Sequence, residues 1–577
     1  MAPDVDFPEY APDLTAIGEP VSPLISGVVP QADGYGPWKA FVAFTQGLPG
    51  PCRGGVFARR GDGSIAVFAG TSTDLYLLSN TDFSWTKVSK GGGPYSALPA
   101  TDNWTFAQFA DTVIAAQVNT VLQKFALASD NAFADLAGSP PQAANVAVIG
   151  GFLVLTGLLS NPKRVQWSDL YGITTWTAGV GLSDFQDLPD GGSCLAVSGG
   201  DLYGLLFQND VIRRLLYVPG SAAIFDIVRI STNDSLVGRY SIINAGTKTF
   251  FCSAQGFRMV DAGGTPVPIG KERVDRTFAK DVDTGNLQLL IGAVDPTATR
   301  AYWAYKSIGG DAGLFDKILC YDWSIGRTGR FTLIPMSGEY LMALAKPGIT
   351  LENLDAIAPG VLNVTGAADN GSGKIRLEIN ALSSGLYNLG TVGSPAQNFV
   401  EVYGVGGTTE ANGSWAYTIP DATHIDLTGS TFTHAWTSGG HLGGALDALP
   451  FSLDTISTAS IAQLAAVNSD HKIGFFNGDN IEAILETGEF NADDNLTFVT
   501  SIRPMTDCAE GMVSLAYRNV AQATSNYSPE TAIDTGQGQA PCLVEGRYIR
   551  GRLRNPSGAA WTFAKGLDPE AQESGEV

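Results

Sequence analysis

Gly151-Phe152-Leu153-Val154-Leu155 is a run in which every side chain after the glycine is apolar. Successive side chains of a strand point to opposite faces, so a strand of this composition has no wet face. Other sheets must cover it on both sides, whereas a sheet with one solvated face would alternate apolar and polar residues. Similar short apolar segments lie at 65–68, 113–116, 202–207, 249–252 and 301–305. With Phe68, Ile114, Val154, Leu205, Phe251 and Trp303 as markers, the steps between them are 46, 40, 51, 46 and 52 residues. One propeller blade of four strands with turns takes about 40–50 residues. The spacing and the two-sided burial predict an all-β fold, a β-propeller, with a large sandwich or sequential sandwiches as the all-β alternative.

Composition points the same way. The chain has 577 residues, 69 of them glycine, and only 16% are charged. That is enough chain for several domains and a large core. High glycine with few Lys and Glu describes strands joined by tight turns, not helices. Asp62-Gly63 leads directly into an apolar segment, as a hairpin turn does. Two short helices are expected, one beginning in Val274-Asp275-Arg276-Thr277-Phe278. The other spans 460–467, where Ser460 and Gln463 have the spacing of a capping box.

A composition shift follows Pro347-Gly348. Residues 351–470 hold two basic and eleven acidic residues and are dense in Gly, Thr, Ala and Asn. Strand-like alternation recurs at 374–379 and 400–403, so this stretch reads as a small β-sandwich-like domain inserted into the propeller chain. The expected division is propeller from 1 to 350, inserted domain from 351 to 470, and closing propeller from 471 to 577.

The formal net charge is −22. It disfavours static binding to nucleic acid or anionic lipid, but not the passage of a polyanion that does not stick. No secretory signal and no apolar run long enough to span a membrane are visible. The six cysteines, Cys52, Cys194, Cys252, Cys320, Cys508 and Cys542, contain no CxxC and read as buried free thiols.

Enzymatic motifs are incomplete. Gly371-Ser372-Gly373-Lys374-Ile375 lacks the first glycine and the final hydroxyl of a phosphate loop, and reads as a turn. Gly192-Ser193-Cys194 lacks the second glycine of a nucleophile elbow. His424, His434, His441 and His471 fall close in sequence, but their gaps match no zinc pattern. Asp184, Asp187 and Asp190 are the best catalytic candidates, since paired carboxylates bind hard cations or cleave glycosidic bonds. An acidic loop ending in a Pro-Asp-Gly turn is the simpler reading. Arg213 and Arg214 read as a solvated hairpin end, with contact to DNA or a neighbouring chain as the alternative. No catalytic, cofactor-binding or metal residue is assigned, and no cofactor is expected.

Several blocks resemble proteins at the tip of short-tailed bacteriophage tails. These are the tail nozzle, also called tail tubular protein B, and the related packaged-DNA stabilisation protein. The blocks are Tyr10-Ala11-Pro12-Asp13-Leu14; Val29-Pro30-Gln31-Ala32-Asp33-Gly34-Tyr35; Phe68-Ala69-Gly70-Thr71 with Leu75-Tyr76-Leu77 and Trp85; and Trp104-Thr105-Phe106-Ala107-Gln108-Phe109 with 113–115. Pro162-Lys163-Arg164-Val165-Gln166-Trp167-Ser168 with Trp176, and Glu545-Gly546-Arg547-Tyr548-Ile549-Arg550 with Trp561, complete the series. Within the insertion, 406–413 through 421–427 resembles a small β-module repeated in other phage tail proteins. The resemblance implies a structural virion protein, not an enzyme. It implies a homo-hexameric ring docked on the head-to-tail adaptor, beside tail fibres or tip proteins, with DNA passing transiently during ejection. Its place would be the virion tail after synthesis in the host cytoplasm. A receptor- or fibre-binding tail protein and a propeller polysaccharide-degrading enzyme are the alternatives.

Overall fold

The computed structural model describes residues 5–17, 20–80, 83–326, 328–346, 362–384, 387–396, 398–443, 461–490 and 495–576. The chain forms two compact units. One comprises Met1–Leu78, Ser84–Ala345 and Ile461–Val577; the other comprises Lys346–Ser460 with Ser79–Phe83, so residues 461–470, expected in the insertion, belong to the first unit, where Ala462–Val467 pairs with Tyr340–Ala345.

The first unit contains a seven-bladed β-propeller. Six consecutive antiparallel meanders of four strands begin with Gly55–Arg59, Thr105–Phe109, Ala143–Ile149, Cys194–Ser198, Ile243–Ala245 and Ile291–Asp295. Phe68, Ile114, Val154, Leu205, Phe251 and Trp303 each stand on the second strand of successive blades. The repeat read from the apolar segments is therefore the blade repeat. In the third blade, Leu153 and Leu155 enter a core shared with Ile114 and Ala116 of the second. Phe152 and Val154 enter another, shared with Leu206 and Leu215 of the fourth. Alternate side chains of one strand thus serve two inter-blade cores.

The seventh blade joins distant parts of the chain. Its order is Tyr340–Ala345, Ala462–Val467, Ile473–Asn480, then Lys39–Ala43 from near the N-terminus. The inner strand Tyr340–Ala345 lies against Gly55–Arg59 of the first blade, which closes the ring. The expected helix over 460–467 is a strand where it is described, Ala462–Val467, paired in register with Tyr340–Ala345. Ladder pairing with a buried neighbour outweighs the local capping signal; Ser460 itself lies outside the described residues. The other expected helix forms as α1, Asp275–Asp281.

After Asn480 the chain leaves the ring. Ala483–Glu486, Met512–Arg518 and Tyr548–Asn555 extend the sixth blade's sheet through Ile25–Ser26, which runs parallel to that blade's outer strand. A second sheet is built from Val28–Gln31, Gly34–Pro37, Ala564–Glu576, Asn495–Thr506 and Ala540–Gly546. The two sheets share one core containing Tyr35, Val499, Val513, Leu553 and Leu567. Gly27 sits at the joint with φ +73°, and a Cβ there would lie 2.0 Å from the Glu482 carbonyl oxygen, so only glycine fits.

The N-terminal segment is pinned to the same region. Asp13 caps α1, accepting from Arg276 N at 2.7 Å and from Thr277 N at 2.8 Å. Glu9 pairs with Arg273, and the Tyr35 hydroxyl donates to the Pro8 carbonyl at 2.6 Å.

The second unit is a small β-sandwich-like domain. Strand Leu362–Asp369 belongs to two layers, pairing with His441–Gly443 at its start and with Ile375–Ile379 from Val364 onward, with a register shift between Val364 and Gly366. The irregularity turns the strand from one layer to the other. Leu362, Ile375, Leu377, Val400, Ile425 and Leu442 fill the space between them.

Ala345 and Ala462, the two ends that carry this second unit, are direct antiparallel partners in the seventh blade. A short hairpin turn therefore suffices to join them. Replacing residues 346–461 with Asn-Gly is expected to leave a folded propeller, with a cooperative melt and a strand-type far-ultraviolet circular dichroism spectrum. Loss of the cooperative melt would show that the ring depends on the inserted domain.

Candidate functional site

The inner strand of each blade is an edge strand, so its free backbone edge faces the propeller axis. Around that axis the inner strands line an open cavity of about 450 Å³. Side chains tie the inner strands to one another where the backbones do not pair. Thr105 Oγ1 donates to the Ala144 carbonyl at 3.0 Å, Asn145 Nδ2 to the Leu195 carbonyl at 2.6 Å, and Ser198 Oγ to Asn244 Oδ1 at 3.0 Å. Trp104 Nε1 and Trp303 Nε1 donate to carbonyls of Thr71 and Ser241 in the preceding blades, at 2.8 and 2.9 Å.

One end of the axis is plugged. Asn103 N donates to the Tyr240 hydroxyl at 2.6 Å, and Asn103 Nδ2 to the Gln288 carbonyl at 2.9 Å. These contacts join the starts of the second, fifth and sixth blades across the axis. Burial pushes the Tyr240 hydroxyl up to about 12, so it stays a neutral hydrogen-bonding group. Beside the plug, buried Glu339 fastens the seventh blade to the first. It accepts from Cys52 N at 2.8 Å and meets His471 Nδ1 at 2.6 Å. Burial raises the Glu339 carboxyl above its ordinary value.

The residues singled out in the sequence lie elsewhere. Asp187, on the outer strand Asp184–Asp187 of the third blade, takes a bidentate contact from Arg164 at 2.7 and 2.9 Å. That guanidinium lies 3.5 Å from the centre of the Phe185 ring. Asp190 accepts from Arg213 Nη2 at 2.6 Å and also from Arg229. The hydrogen bonds from Arg164 and Arg213 hold Asp187 and Asp190 below the usual carboxylate range. Asp184 accepts from the backbone N–H of Phe185 at 2.8 Å. Asp187 and Asp190 are thus paired with arginines of the third and fourth blades. Arg213 and Arg214 stand on strand Val211–Tyr217, and Arg213 is only 7% exposed. The solvated hairpin end is thereby corrected: Arg213 is buried because Asp190 and Gln208 satisfy it.

The four histidines have separate partners. His424 meets Asp421 at 2.8 Å, His434 meets Glu410 at 3.3 Å, His441 meets Asn363 at 3.0 Å, and His471 meets Glu339. In the Gly371–Lys374 turn, Asp369 Oδ1 accepts from Gly371 N at 2.9 Å and Gly373 N at 2.8 Å, so those amides are not free to cradle phosphate. The six cysteines are free and buried, and Cys194 of the Gly-Ser-Cys motif lies inside an inter-blade core.

Two groups of interest carried no motif. Arg239 precedes an inner strand and reaches the axial cavity. Asp275 opens α1 with Oδ1 accepting from Phe257 N at 3.0 Å, while its other oxygen is buried without a partner among the described residues. Burial raises its carboxyl to about 6. Only an isolated arginine and an isolated aspartate mark them in sequence.

No protein-family model and no curated protein matches the chain. Solved structures that resemble it include BamB from Moraxella catarrhalis, at 13% identity and TM-score 0.30, covering 61% of this chain and 89% of that one. A quinonprotein alcohol dehydrogenase-like protein from Bacteroides thetaiotaomicron has 10% identity and TM-score 0.31, covering 49% and 65%. The β-propeller domain of Myceliophteria thermophila Cps50 (Swd1) has 9% identity and TM-score 0.30, covering 49% and 96%.

Asp275 makes stability depend on pH. Below the ordinary aspartate value, about 3.9, the carboxyl is neutral in both folded and unfolded chains. As pH rises towards 6 the unfolded chain ionises first, so stability falls through that window and stays lower above it. Asp275→Asn, which keeps the acceptor for Phe257 N, is expected to raise the melting temperature at pH 8 and leave it nearly unchanged at pH 4. An unchanged melt at pH 8 would refute the assignment.

Burial also raises the thiols, those of Cys52, Cys194 and Cys320 to about 12 and that of Cys542 to about 11. A disulfide reagent at pH 8 should therefore find the native thiols silent over minutes and all six reactive in guanidinium. Rapid labelling of the native chain would contradict the packing.

Proposed function

We propose that this chain is a structural subunit of a virion ring at the distal end of a short phage tail, continuing the DNA ejection channel and docking on the head-to-tail adaptor. The observation that carries this reading is the ordered series of sequence blocks, together with the places they occupy. Tyr10–Leu14 contains Asp13, which caps α1. The hairpin at 29–35 and the segment at 545–550 belong to the two sheets built by the chain ends. In the third blade, Trp167 Nε1 donates to the Leu182 carbonyl, Ser168 Oγ accepts from Leu153 N, and Gln166 donates to the Trp176 carbonyl. Each block serves as a joint of a rigid frame.

The site chemistry favours the same reading. Two of the three candidate carboxylates, Asp187 and Asp190, are paired with arginines, and Asn103, Tyr240 and Gln288 meet at one end of the axial cavity. With those contacts across each propeller's own axis, a DNA lumen in such a ring lies between subunits. Closed rings are made by heterologous contacts repeated by rotation. The acidic balance of the chain suits a surface along which phosphates slide without being held.

Native mass spectrometry of the purified chain, alone and with its adaptor, tests the assignment. The expected species carries six copies of the 60.5 kDa chain. A chain that stays strictly monomeric beside its adaptor would overturn it, as would virion imaging that places the chain away from the distal tail.

A further inference from the structure

The axial cavity contains an unspent cation. Of the described residues lining it, Arg239 alone carries a formal charge. The Arg239 side chain is 30% exposed, and among the described residues its one ionic contact is Asp102 Oδ2 at 3.7 Å. That separation is longer than a hydrogen bond, and among the described residues the guanidinium makes none. Its five N–H donors therefore have no acceptor within hydrogen-bond reach among the described residues. Asn244, which is exposed, spends its Oδ1 on Ser198 at 3.0 Å and Thr249 at 3.3 Å. Its side-chain NH₂ is left without a protein partner among the described residues. Cavity volume, one under-bonded guanidinium and one free amide donor coincide.

We propose that the axial cavity is a binding site for a small oxyanion, of the size of phosphate or a short carboxylate, held by Arg239 and assisted by Asn244. Planar paired donors of a guanidinium match the oxygens of such an anion. About 450 Å³ is room for a small anion with its waters. Asp102 tempers the site, because its carboxylate competes for the same cation. The inference is independent of the ring assignment and applies to a single chain.

The test uses the full-length chain in an anion-poor buffer at constant ionic strength, titrated with inorganic phosphate and separately with glycerol, and followed by calorimetry and thermal melting. Phosphate is expected to give a saturable heat and a melting-temperature rise of roughly 1–3 °C well above its dissociation constant. Glycerol should give no saturable heat. Arg239→Gln is expected to weaken phosphate binding about tenfold or more. Asp102→Asn, which removes the competing charge, should strengthen it roughly threefold. Near-ultraviolet circular dichroism checks that both variants fold; should Arg239→Gln fail, Arg239→Lys replaces it and Asp102→Asn still decides. Absence of saturable phosphate binding overturns the proposal. So does equal affinity in the Arg239 variant, unchanged affinity in Asp102→Asn, or a glycerol response matching that of phosphate.

Discussion

Burial of both faces of each blade's second strand is the constraint on which the molecule depends. Leu153 and Leu155 pack towards the second blade while Phe152 and Val154 pack towards the fourth. No blade is stable alone, because either face of such a strand would be left in water. Each blade must find a neighbour on both sides, and a linear stack would leave two apolar ends. Closing the ring removes both ends. Fully burying a large aliphatic side chain is worth about 1.5–3 kcal/mol, so the repeated inter-blade cores dominate the stability.

Closure has its own devices, and they draw on the far ends of the chain. Lys39–Ala43 supplies the outer strand of a blade whose other strands begin at Tyr340, Ala462 and Ile473. Glu339 then bridges Cys52 of the first blade and His471 of the last. The segments flanking this closure build two sheets, one of which continues the sixth blade. The inserted domain interrupts the seventh blade between two strands that are direct partners, Tyr340–Ala345 and Ala462–Val467. That is where a chain can be lengthened without breaking a ladder.

The blade repeat was legible because its physical cause is local: an apolar residue at every position of a short strand. The insertion was legible for a similar reason, since its composition departs from that of the frame. Pairing partners were not legible. Ala483–Glu486 looks like a blade strand, yet it pairs with Ile25–Ser26 and Tyr548–Asn555. Alternation says that a strand has faces but not which edge it meets. Likewise Ser460 and Gln463 have the spacing of a helix start, and strand pairing overrides it over Ala462–Val467. The arginines at 213 and 214 look solvated until Asp190, 23 residues before Arg213, is brought beside it.

The sequence by itself determined the all-β class, the blade period and the presence of a compositionally distinct insertion, because each follows from short-range pattern or composition. Tertiary structure alone decided the ring closure, the plug formed by Asn103, Tyr240 and Gln288, and the isolation of Arg239 in the axial cavity. Those features join residues more than a hundred positions apart, or depend on which polar groups find partners. Neither property is encoded in the neighbourhood of any one residue.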